Sequence, residues 1–164
     1  MTRLPWPHYF MNITHLVAER STCLRRKVGA IAVKDKRILA TGYNGAPRNI
    51  RDCLEIGSCR RMREGTPPGE RHELCRGIHA EQNVIIQAAV HGVSLEKAVI
   101  YCTHQPCSIC SKMLINCAVE AVYFETAYPD PMAVELFAEA GITLASLDGL
   151  PEFACRGEST LSMA

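Results

Sequence analysis

His79-Ala-Glu-Gln-Asn-Val-Ile-Ile-Gln-Ala-Ala-Val90, Ala98-Val-Ile-Tyr-Cys-Thr103 and Cys107-Ser-Ile-Cys-Ser-Lys-Met-Leu-Ile-Asn-Cys117 read as helix, strand and helix, and they decide the fold. The alternation continues downstream, with a strand at Ala121–Glu125, a helix at Pro131–Ala140 and a last strand at Ile142–Leu147. Strands separated by helices of this length become parallel neighbours with helical crossovers. Upstream, Trp6–Arg20 has helical periodicity, with Phe10, Ile13, Val17 and Leu16 on its inner face. Val28–Val33 and Arg37–Tyr43 are apolar runs around the polar turn Lys34-Asp35-Lys36, which predicts an antiparallel hairpin closed by Asn44-Gly45. The expected architecture is α/β, with a mixed sheet and helices on both faces.

Between Ala46 and Gly77 the character changes. This stretch is rich in Gly, Pro, Arg and Cys and shows little periodicity beyond a short helix around Asp52–Arg63. About thirty residues without regular structure are unusual inside a compact domain. Cys53, Cys59, His72 and Cys75 lie within it, so metal is expected to do there what a hydrophobic core does elsewhere.

The chain has 164 residues, enough for one domain spanning 1–164 with a single sizeable core, and from Pro151 onward (150–164) it reads as a loose tail. A net charge of +1 lacks the basic excess of strong nonspecific nucleic-acid binders, so no nucleic-acid partner is expected. Met1–Phe10 carries two prolines, a His and a Trp with no apolar stretch, and no run approaches ~18 apolar residues. A cytoplasmic protein without a membrane partner is therefore expected. Nine cysteines in that compartment point to metal ligation rather than disulfides.

His79-Ala80-Glu81 and Pro106-Cys107-Ser108-Ile109-Cys110 supply three metal ligands, His79, Cys107 and Cys110, and one carboxylate outside the ligand set, Glu81. Hydrolytic zinc sites use three protein ligands and keep one position open for water, whereas structural sites use four. Cys107 and Cys110 share one side of a first helical turn, where the helix N-terminus favours thiolates. Pro106 suits the start of a helix. A lone Cys-x-x-Cys also suits a redox pair or half of a structural zinc site. The combination with His-x-Glu is the signature of zinc deaminases acting on nucleobases. In that chemistry water adds at C4 of cytosine while Glu81 carries a proton to N3 and then to the leaving amine.

Over about Trp6–Leu147 the chain resembles the deoxycytidylate (dCMP) deaminases of the cytidine-deaminase superfamily. Besides the two metal motifs, the resemblance rests on Lys27-Val-Gly-Ala-Ile, Thr41-Gly-Tyr-Asn-Gly45 and Arg71-His-Glu-Leu-Cys-Arg-Gly-Ile-His79. It implies a three-layer α-β-α sandwich around a five-stranded mixed sheet and hydrolytic deamination of dCMP to dUMP, which supplies thymidylate synthesis. It also implies His79, Cys107 and Cys110 as ligands of a catalytic Zn2+, Glu81 as proton shuttle and Asn44 as a nucleotide contact. Ala80, His104 and Arg26 complete the candidate substrate contacts. Arg25, Arg26 and Lys27 form the obvious basic cluster for a phosphate, although a solvated basic run reads the same way.

Certain members of the family carry an additional structural zinc, and Cys23 and Cys53 fall where its ligands do. His72-x-x-Cys75 has chelate spacing, so Cys23, Cys53, His72 and Cys75 are the expected set, with Cys59 as substitute. Reduced buried cysteines are the alternative. Cys102 and Cys117 read as core residues and Cys155 as a free thiol. The resemblance further implies a homo-oligomer, with hexamers known in the family, and dCTP and dTTP as effectors. The competing functions are a tRNA adenosine deaminase, another cytosine nucleoside or nucleotide deaminase, and an inactive zinc-stabilised interaction module. Neutral charge, the Gly-Tyr-Asn-Gly element and the 46–77 insertion argue against the first, His79 in place of a Cys against a free-nucleoside enzyme, and Glu81 against the last.

Overall fold

The computed structural model describes residues 3–147. β1 (Gly29–Lys34) and β2 (Arg37–Tyr43) form the expected antiparallel hairpin, with Asp35 and Lys36 both at positive φ in the turn. Two left-handed residues in a two-residue loop match the twist of the strands they join. β3 (Val99–His104) pairs antiparallel with the other edge of β1, and β4 (Ala121–Thr126) and β5 (Thr143–Ser146) follow in parallel. The sheet order is β2-β1-β3-β4-β5.

The helices are α1 (Trp6–Ala18), α2 (Cys53–Ile56), α3 (Arg60–Arg63), α4 (Ala80–Val90), α5 (Ser108–Asn116) and α6 (Pro131–Glu139). Side chains alternate across the sheet, as strand geometry requires. Ala30 and Ala32 of β1 join Ala80, Val84, Leu114 and Phe137 on the face covered by α4, α5 and α6. Ile31 and Val33 join Phe10, Met11 and Tyr101 on the face covered by α1. The result is the three-layer α/β/α arrangement expected from the sequence. Each fully buried Ile, Leu or Phe in these layers stabilises the fold by about 1.5–3 kcal/mol relative to exposure.

Two expectations are corrected by the structure. α1 ends at Ala18, and Leu16 is 72% exposed, whereas Met11 and Thr14 are buried beside Phe10. The inner face follows the 10, 11, 14, 18 positions, and Thr14 is tolerated there because its hydroxyl donates to the carbonyl of Phe10 at 2.8 Å. The helix expected around Asp52–Arg63 is broken at Gly57 into α2 and α3. The tail from Pro151, with Cys155, lies outside the described residues.

The 46–77 segment is closed at its base by a two-way backbone bridge, Gly45 N–H to Ile78 O at 3.2 Å and Ile78 N–H to Gly45 O at 2.8 Å. Within it only Cys59 and Arg61 are buried, so it has almost no apolar interior of its own. Polar ties hold it instead: Asp52 and Glu55 cap α2 reciprocally, and Arg76 Nε donates to Arg51 O at 3.1 Å.

β2 meets α4 without clearance at Gly42. A Cβ added there would stand 2.3 Å from Ala80 O and 2.6 Å from Val84 N, both backbone atoms of the helix. Gly42→Ala is therefore expected to destabilise the protein by about 1–3 kcal/mol, as overpacking does, measured by chemical denaturation.

Candidate active site

β2 and β3 are each antiparallel to β1 and so point the same way. The helix reached after β2 and the helix after β3 therefore start at one edge of the sheet. His79 is the N-cap residue of α4 and Cys107 that of α5. Gln82 Oε1 accepts the His79 N–H at 2.9 Å, which fixes the first turn of α4. At the start of α5, Ser108 N–H donates to Asp130 Oδ2 at 2.8 Å, and Asp130 Oδ1 also accepts from Ala133 N–H at 3.2 Å. One carboxylate thus joins the starts of α5 and α6. Burial would raise its pKa, but these hydrogen bonds prevail and hold it below the usual range.

The ligand atoms of His79, Cys107 and Cys110 lie within 4.8 Å of one another, the one such His/Cys/Asp/Glu group among the described residues. His79 Nδ1 is 3.5 Å from Cys107 Sγ and 3.3 Å from Cys110 Sγ. Tetrahedral zinc with ordinary Zn–N and Zn–S bonds separates its ligand atoms by ~3.5 Å, so the three residues fit that metal. Cys107 is pulled down to about 4, chiefly by the hydrogen bond from Cys110, with His79 adding to it against burial. Cys110 is pushed up by giving that hydrogen bond and by burial. His79 is raised by its hydrogen bond to Cys107. One thiolate is therefore already available to a cation, and a metal takes the second by displacing a proton.

Glu81 is 4% exposed and lines the same cleft. Burial raises its pKa, opposed by the positive character of His79. Ala80, fully buried between them, is the first residue of α4, where backbone N–H groups have no partner within the helix. His104 is half-buried in the cleft wall, its pKa lowered by burial and then by Arg26. Arg26 lines the mouth and is exposed. Asn44 also lines the cleft, but its side chain is largely committed: Oδ1 accepts from Ser21 Oγ at 2.6 Å and Val28 N–H at 2.9 Å, and Nδ2 donates to Arg26 O at 2.9 Å. One N–H of Asn44 remains for a ligand.

The candidates for a second metal divide. The Cys53 thiol is raised by burial and then by Cys59, Cys23 and Cys75, which surround it electrostatically. Cys23 Sγ accepts the Arg25 N–H and Cys75 Sγ the Gly77 N–H, each at 3.4 Å. His72 stands elsewhere: its ring is 4.9 Å from that of His79. Arg61, Gln105 and Tyr128 also line the cleft, and no sequence motif pointed to them. Only Gln105, directly before Pro106-Cys107, carried a positional hint.

Three soft-metal ligands with a buried carboxylate beside them, on two helix starts over a mixed sheet, define the site of a hydrolytic metalloenzyme. Residues 4–126 match the family described as the cytidine and deoxycytidylate deaminase zinc-binding region, and the chain belongs to that family. It is 41% identical over 149 residues to ComE operon protein 2 of Bacillus subtilis, covering 90% of this chain and 74% of that one. It is 36% identical over 143 residues to the deoxycytidylate deaminase of Schizosaccharomyces pombe, covering 87% of this chain but 44% of that enzyme. Among solved structures, the dCMP deaminase of cyanophage S-TIM5 in complex with dCMP and dUMP aligns with a TM-score of 0.72 and 31% identity, covering 90% of this chain and all of that one.

Removing one ligand should empty this site without unfolding the sheet. Cys107→Ser is expected to lower bound zinc by about one ion per chain, measured by elemental analysis, with the far-UV circular dichroism spectrum retained.

Proposed function

We propose that the protein hydrolyses dCMP to dUMP and ammonia. The observation that carries this is the placement of Glu81, buried at the side of the His79-Cys107-Cys110 cup and outside its ligand set. The family and the phage enzyme bound to dCMP and dUMP support the cytosine nucleotide as substrate. Zinc held by the cup supplies Lewis acidity that brings the pKa of water towards ~7. Glu81 takes one proton from the attacking water and delivers it to N3, then takes the second from the hydroxyl now on C4 and passes it to the departing amine, so that the C4 carbonyl forms as ammonia leaves. Its raised pKa suits a group that must both accept and give a proton near neutrality. Ala80, as the first residue of α4, carries an N–H without a partner inside the helix, which suits a base oxygen, and His104, Asn44 and Arg26 line the cleft beside it.

The same reading takes the chain as one cytoplasmic domain, 46–77 being a metal-stabilised insertion, acting on a small nucleotide. Among the described residues no helix is long and apolar enough to cross a membrane. Exposed large apolar side chains such as Leu16, Val90 and Met132 support a homo-oligomer, up to a hexamer, and dCTP and dTTP are its expected effectors. For the second zinc, the four-thiol neighbourhood supports Cys23, Cys53, Cys59 and Cys75, with Cys59 in the place given to His72.

Two experiments test this. Ammonia release is measured with dCMP, CMP, deoxycytidine and a tRNA anticodon arm side by side. Turnover of dCMP is expected, activity on the RNA alone would replace the reading with tRNA adenosine deamination, and Glu81→Gln should lose about 10²–10⁴-fold while keeping its zinc. Elemental analysis of the wild type should give close to two zinc ions per chain. Cys59→Ser should bring it towards one and His72→Asn should leave it at two, whereas a wild-type value of one removes the structural site.

A further inference from the structure

Among the described residues, the buried side-chain nitrogens without a hydrogen-bond partner are Arg25 Nη1, Arg61 Nε, His72 Nδ1 and Gln105 Nε2. All four residues line the cleft that holds His79, Glu81 and Cys107. An unpaired buried donor is costly, so several of them in one wall point to a ligand that brings acceptors.

Arg61 is the strongest case. It is 8% exposed and forms no ion pair among the described residues. Its acceptors are main-chain oxygens: Nη2 donates to Pro67 O at 3.2 Å and to Glu70 O. Arg25, from the segment before β1, reaches the same loop through Nη2 to Thr66 O at 3.4 Å. The loop is pressed from a further direction by Tyr128, because Gly69 has φ +85° and a Cβ there would lie 2.6 Å from the Tyr128 hydroxyl. The two guanidiniums are thus held in place by backbone oxygens, with Arg61 Nε and Arg25 Nη1 left over. The charge of Arg61 acts on His72, His79 and Tyr128, so it lies within electrostatic reach of the metal cup.

Buried charge persists where something compensates it, and carbonyl dipoles do so only in part. Fixed guanidinium N–H groups match the oxygens of a phosphate. The basic run at 25–27 divides accordingly: Lys27 turns outward to pair with Glu19 at 2.5 Å, Arg26 is exposed, and Arg25 points inward. We propose that Arg61, with Arg25 beside it, binds the 5′-phosphate of the nucleotide substrate and so makes the enzyme prefer a nucleotide to a nucleoside. This rests on the dCMP reading above.

The competing explanation is that these arginines only brace the 66–70 loop or pack beside Cys23, Cys53, Cys59 and Cys75. Zinc-loaded wild type, Arg61→Gln, Arg61→Lys and Arg25→Gln are compared on dCMP and deoxycytidine, with zinc per chain and the affinity for dUMP measured on the same samples. Arg61→Gln is expected to lower kcat/KM for dCMP by about 10²-fold and weaken dUMP by a similar factor, to leave deoxycytidine within about threefold, and to keep its zinc. Arg61→Lys should recover part of the loss on dCMP, since it keeps the charge without the fork. Equal losses on both substrates, loss of zinc together with activity, or an unchanged preference for dCMP and unchanged dUMP affinity would each overturn the assignment. Should Arg61→Gln not fold, Arg61→Lys and Arg25→Gln carry the same comparison by the same criteria. A wild type inactive on dCMP sinks the substrate reading and the phosphate subsite with it. A wild type active on dCMP whose arginine variants keep the nucleotide preference sinks the phosphate subsite alone.

Discussion

The direction of β2 and β3 governs the site. Each is antiparallel to β1, so they run the same way with β1 between them, and the helices that follow them begin at one edge of the sheet. Helix starts carry unpaired N–H groups and partial positive charge, which stabilise thiolates and polarised oxygens. Bringing the starts of α4 and α5 together therefore builds a metal cup with its electrostatics already in place. Gly42 is part of the same constraint, because α4 reaches β2 only where no Cβ intervenes.

The cup divides its protons unequally. Cys107 ionises early because Cys110 donates to it, while Cys110 keeps its proton and buried Glu81 resists ionisation. Two thiols and a carboxyl in one small volume cannot all carry charge in low dielectric without a cation. A divalent metal held by His79, Cys107 and Cys110 would relieve that conflict at Cys110, with Glu81 outside the ligand set. His79 and Glu81 differ in position: His79 caps the helix and Glu81 lies on its first turn, lining the cleft.

The 46–77 insertion follows a different logic from the sheet. It buries one cysteine and one arginine where the rest of the chain buries Ile, Val, Leu and Phe. A segment with so little apolar surface cannot offset the entropy of its own ordering by hydrophobic burial. Its ties are a backbone bridge at its base and guanidinium contacts to carbonyl oxygens, with Cys23, Cys59 and Cys75 near Cys53. Because this segment also walls the cleft, whatever holds it shapes substrate binding.

Periodicity was sufficient for the sheet and its main helices, because alternation at 2 and at 3.6 residues follows directly from which side chains must be buried. The gathering of His79, Cys107 and Cys110 was legible as well, since His-x-Glu and Cys-x-x-Cys place their groups at helix starts. The burial of Thr14 in place of Leu16 was not, because it depends on a hydroxyl finding the carbonyl of Phe10. Nor was the approach of the His72 ring to that of His79. Arg25, Arg61, Gln105 and Tyr128, which share the cleft wall, come from segments far apart in the chain. By itself the sequence determined the order of elements and the chemistry of the metal ligands, because both are set by local spacing. Only the tertiary structure decided which charges and thiols share a wall, because the residues that line it come from segments distant in the chain.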